Sequence, residues 1–217
     1  MEDHTGFAQP LGQRAAHEEL AYIRRTLDAA GRLSIVPGKG FVVIGLLALA
    51  TIWVTETHPA GAPWNQAYSP AAGSSNPAGA PFLGVTLLWG ALLLAAAGIG
   101  VFSMWRKARR TGQAFWSPVL RKAIWGYAAA MALGGMLTVS LLGQPRLLPE
   151  VWLGCYGAAL VGAGAVSISP IRWMGICFLA LAAVAALPVF SGSLLLALGF
   201  GWLHILFGAY IAWRHDG

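Results

Sequence analysis

His204 is the one ionisable side chain that falls deep within an apolar stretch of this sequence. It lies about 18 Å along a helix that starts near Gly192, counting 1.5 Å per residue. A titratable group at that depth is a functional candidate by default, as a proton carrier or the lining of a path. The opposing reading is structural: a neutral imidazole bonded to a carbonyl or to a hydroxyl such as Thr138 or Ser140. No Asp, Glu, Lys or Arg stands at comparable depth to complete a relay, so the structural role is the expectation. A haem held by two histidines of one chain is not expected either, since no second His falls within an apolar stretch. Glu56, His58 and Glu150 flank such stretches on one side and, if gathered, could bind a metal or move a proton. Single polar residues at span ends are ordinary, and no Cys or His occurs at metal-ligand spacing, so neither a metal nor a cofactor is expected. Cys155 and Cys177 fall on consecutive spans at heights that differ by about 12 Å, beyond the ~7 Å Cα separation a disulfide tolerates. They are read as free, buried, small hydrophobes. Pro37-Gly38-Lys39-Gly40 contains Gly-Lys but lacks the upstream Gly and the following Ser or Thr of a phosphate loop, and reads as a hinge. Without an acid and base pair, or a nucleophile with its base, the chain is expected to be non-enzymatic.

The elements that must position these residues are membrane spans. The composition is 57% hydrophobic and 10% charged, against roughly 25% charged residues in a soluble domain. Six apolar stretches can be delimited: 41–55, 81–105, 123–142, 150–167, 173–187 and 192–213. A helix needs about 20 residues to cross a ~30 Å hydrocarbon core. Lys and Arg alternate between the gaps: five in the N-terminal head, six in the gap after the second stretch, and one each at Arg172 and Arg214. Only Arg146 falls on the other side. That bias places both termini in the cytoplasm and reads the net charge of +6 as a topology signal facing anionic headgroups, with no nucleic acid implied. Trp53, Trp105, Trp125, Trp152, Trp173 and Trp213 fall at span ends, where indole suits the interface. Trp89 and Trp202 lie deeper and are expected to pack between helices.

The fold class is therefore all-α: a polytopic protein of six transmembrane helices, N-in and C-in, with a cytoplasmic head at 1–37 and the membrane domain at 38–217. Two small-residue faces are candidates for packing or function. Gly154, Ala158 and Gly162 recur at i, i+4 and i+8 on span four, and Gly201, His204, Gly208 and Ala212 share a face of span six. In the head, residues 14–30 form a candidate amphipathic helix with Leu20, Ile23 and Leu27 as its apolar stripe. Its charges balance, whereas surface-seeking helices carry a strongly basic face. The stripe is expected to bind a protein partner or a second copy. The lipid bilayer is the other partner.

Two segments carry a resemblance: Leu20-Ala21-Tyr22-Ile23-Arg24-Arg25 through Val36-Pro37-Gly38-Lys39-Gly40, and Gly199-Phe200-Gly201-Trp202-Leu203-His204 through Gly208 with Arg214-His215. They resemble an uncharacterised family of bacterial multi-span inner-membrane proteins. The resemblance implies the bacterial cytoplasmic (inner) membrane and no activity. The expected role is a non-enzymatic anchor or sensor. The alternative is a small, dimeric transporter or permease with His204 near its pathway.

Overall fold

The computed structural model describes residues 35–57, 80–141, 144–187 and 189–215, together with Glu19, Leu20 and Ile23 of the head. The chain divides into two compact units, Met1–Arg32 and Leu33–Gly217. In the first, Leu20 and Ile23 are exposed, while Leu27 and the rest of the 14–30 helix lie outside the described residues. In the second, the described residues are helical with no strand: α1 (Gly38–Thr57), α2 (Ala80–Thr111), α3 (Pro118–Ser140), α4 (Leu148–Gly164), α5 (Ser169–Ala185), α6 (Gly192–Leu196) and α7 (His204–His215). A π-helical segment, Ala197–Leu203, joins α6 to α7. Four rods are long and apolar enough to cross a membrane: Gly38–Thr57, Gly84–Thr111, Pro118–Ser140 and Gly192–Arg214. α4 and α5 have 17 residues each, about 25 Å at 1.5 Å per residue.

Local chemistry sets where these helices start and stop. Ser117 caps α3 by accepting the Leu120 N–H at 3.1 Å, with proline in the first turn. Proline also opens α4 and α5. α2 ends at Gly112, whose φ of 65° is left-handed, and the Gln113 N–H returns to the Ala108 carbonyl at 3.0 Å. That closure stops the helix and leaves Arg106–Arg110 on its last turns. The hinge read from the sequence is corrected by the structure: Gly38 and Gly40 are helical and belong to α1. Likewise Ile35 and Val36, assigned to the head, are buried in the core of the helical unit.

Packing is antiparallel and rests on glycine. α4 lies against α5 with Gly157 facing Gly175 and Leu179, and Gly164 facing Arg172. α1 lies against the π segment and α7, Gly38 meeting the backbone of Gly208 and Ala212, and Gly45 meeting Gly201 and Ile205. In lipid no hydrophobic drive pulls helices together, so the stabilisation comes from backbones brought to van der Waals contact. These pairings bring the start of α1, the end of α2, the starts of α3 and α5 and the ends of α4 and α7 to one end of the unit. Lys39, Arg106, Lys107, Arg109, Arg110, Arg121, Lys122, Arg172 and Arg214 belong to those termini, and Arg146 to the opposite end. The Lys107 Nζ donates to the Val36 carbonyl at 3.0 Å, tying α2 to the segment that leads into α1.

α2 packs chiefly on α1, and α3 on α4, while contact between α2 and α3 is sparse at most. Consecutive in sequence, these two helices stand apart and leave a hollow between them.

Candidate functional site

His204 is buried at the junction of the π segment and α7. Its Nδ1 lies 3.3 Å from the Gly199 carbonyl, five residues back. A carbonyl can only accept, so Nδ1 carries the proton. Nε2 is then an acceptor for the Tyr156 hydroxyl of α4 at 2.7 Å. The pair satisfies a neutral imidazole completely. Phe41 and Phe200 stack on the ring at centroid distances of 5.7 and 6.1 Å, and Phe178 meets it edge-on at 5.6 Å. The described carboxylates of the helical unit, Glu56 and Glu150, belong to the end of α1 and the start of α4.

The partner thus differs from the hydroxyls anticipated. Thr138 instead accepts from the Trp152 Nε1 at 2.9 Å and donates to the Gly134 carbonyl, and Ser140 donates to Met136 within its own helix. Tyr156 is four residues from Trp152 and shares its face of α4. Nothing in its apolar surroundings marks it in sequence.

Beside this pair is a cavity of about 570 Å³, walled by α1, α2, α3, α4 and the π segment, with Phe115 of the α2–α3 hairpin among its lining residues. Its wall is overwhelmingly apolar. His204, Tyr156, Tyr127, Trp152 and Trp89, with the hydroxyl residues Thr86, Thr138 and Ser167, are the polar side chains among its lining residues. Trp89 packs against Trp152 and Phe200 at centroid distances of 5.3 and 6.2 Å.

The other candidates take separate places. Gly201 and Gly208 pack on α1, as the face shared with His204 and Ala212 requires. On α4 the closest approach to α5 runs through Gly157 and Gly164. Of the stripe read from the sequence, Gly162 faces Gly126 of α3, Gly154 touches Ala182 of α5 and Ala158 is exposed. Trp202 was expected between helices but is half exposed on the outer side of the π segment, whereas Trp89 is buried as expected. Cys155 and Cys177 are free thiols, and Cys155 borders the cavity. Glu56 and Glu150 end α1 and begin α4, His58 lies outside the described residues, and no group of three or more metal-ligating side chains forms among those described.

The fold and site are those of an all-helical protein with several helices fit to cross a membrane and an apolar cavity inside the bundle. No protein-family model, no curated protein and no solved structure matches the chain.

Proposed function

We propose that the chain is a six-span protein of the bacterial inner membrane, both termini cytoplasmic, that works as a non-enzymatic receptor. It takes an apolar molecule into its bundle and conveys occupancy to a partner of the head helix at 14–30. The observation that carries this reading is the apolar cavity beside the His204–Tyr156 pair. Ligand sites in helical proteins are concave, mostly apolar and furnished with a few polar groups, and this one has those proportions. α4 and α5 complete six spans because about 17 residues suffice for a helix flanked by interfacial residues. The gathering of basic residues at one end supports the orientation.

Native mass spectrometry of the full chain released from its membrane tests the receptor. The protein should retain one apolar molecule, and Gly90→Leu with Gly135→Leu should release it empty. Retention by that variant equal to the parent's would refute the reading. Orientation is tested in a background with Cys155 and Cys177 replaced by alanine. Gln144→Cys should react with a membrane-impermeant maleimide on intact spheroplasts and Thr111→Cys should not; the reverse pattern would invert the topology. For the head, Ile23→Asp should abolish recovery of a partner or second copy without preventing insertion.

A second reading, a small transporter, draws on one feature. The π segment lies within the continuous span Gly192–Arg214 next to His204, and such segments inside α-helices are frequent at functional sites. Uptake of a solute into proteoliposomes, lost in His204→Gln while the fold is retained, would favour it.

A further inference from the structure

Among the buried side-chain polar atoms of the described residues, Trp89 Nε1 is the one without a hydrogen-bond partner. Trp89 is 7% exposed and lines the cavity. An indole N–H is a donor only, and a buried donor left unmade is costly, more so where no water reaches it. The neighbouring tryptophan makes the contrast: the Trp152 Nε1 on the same wall is bonded to Thr138.

The cavity is also kept open in a way that packing within the chain does not require. Gly90 and Gly100 of α2 and Gly135 of α3 line it, and a methyl built on any of them would meet nothing within 4 Å. Glycine weakens a helix interior relative to alanine, so its use where no neighbour demands it leaves room for something else. Leu93 and Val101 of α2 line the cavity as well and are exposed. The hollow therefore communicates with the surroundings between α2 and α3, the two helices that scarcely touch. For a bundle in a bilayer, that side faces the acyl chains.

From this we propose that the occupant enters sideways from the bilayer and is a lipid-like molecule, an apolar tail bearing a carbonyl oxygen that accepts the Trp89 N–H. The inference rests on the receptor reading above and adds the ligand's chemistry to it. Two sources supply that chemistry: the ester carbonyl of a diacyl lipid and the ring carbonyl of an isoprenoid quinone. The indole N–H is buried, and a side-chain adjustment of the kind usual on binding brings donor and acceptor together.

The test compares three probes on the full chain in detergent, read by native mass spectrometry: a diester phospholipid, its diether analogue of equal chain length, and an isoprenoid quinone. A carbonyl bonded to Trp89 should favour the diester, the quinone or both over the diether by roughly three- to tenfold, the range of one neutral hydrogen bond. Trp89→Phe keeps the ring and removes the donor, and should bring the three probes level. Preference for the diester or for the quinone identifies the source. Equal retention of all three probes by the parent chain would overturn the carbonyl. If Gly90→Leu with Gly135→Leu still empties the cavity, that result leaves the receptor standing. Retention of every probe by that double variant would overturn both readings, as would a dimer that the same variant dissociates, because a second copy would then be the occupant. Both leucines point into open space, so monodisperse elution of the variant certifies its fold.

Discussion

Gly208→Leu should prevent the chain from forming a detergent-stable bundle. The Cβ alone would lie 2.8 Å from the Phe41 Cβ and the Val42 nitrogen and 2.9 Å from the Gly38 carbonyl oxygen. Two of these three atoms are backbone and cannot rotate away, so α7 must withdraw from α1 along its length. Overpacking of this kind costs about 3 kcal/mol or more, a large share of the stability of a typical domain. The loss also reaches the cavity, since Phe41 lies on its wall and against the His204 ring. The control is Gly98→Ala, where a methyl meets nothing within 4 Å; it should change stability by no more than about 1 kcal/mol. Thermal unfolding in detergent separates the two. Equal melting of Gly208→Leu and the parent would show that the α1–α7 contact does not hold the bundle together.

His204→Leu should destabilise by about 2 kcal/mol, because it leaves the Tyr156 hydroxyl buried without an acceptor. His204→Gln returns an acceptor to the same place and should stay within about 1 kcal/mol of the parent. Adding Tyr156→Phe to His204→Leu removes the orphan as well as its partner and should recover part of the loss, a coupling of about 1–2 kcal/mol in a double-mutant cycle. Strictly additive losses would show that the bond makes no contribution. A proton-carrying His204 would behave differently: both His204 variants would abolish a pH-dependent signal while the fold persisted.

These expectations combine features that differ in how far the sequence reveals them. The apolar runs, their number and the alternation of Lys and Arg are local properties of the chain. A helix in lipid must satisfy its own backbone hydrogen bonds, so each run names its own secondary structure without reference to neighbours. His204 stood out for the same reason, as an ionisable group in an apolar run, and so did the small-residue face of Gly201 and Gly208. The tertiary structure decided which of the many small residues matter. On α4 the contact with α5 falls at Gly157 and Gly164, one position round from where the spacing of Gly154, Ala158 and Gly162 pointed, because a run rich in Gly and Ala offers several equivalent faces and only the neighbour selects one. Gly38 read as a hinge because the closeness of the Ala212 backbone, more than 170 residues on, is invisible locally.

The sequence by itself determined that the chain is helical, apolar and polarised in charge from one end of its spans to the other. These follow from hydrogen bonding and solvation, which act residue by residue. What only the tertiary structure decided is the partner of His204, the unpaired Trp89 N–H and the hollow between α2 and α3. A hydrogen bond between helices and a space between them are properties of two surfaces at once, set by how closely their backbones approach, and no single stretch of sequence encodes that distance.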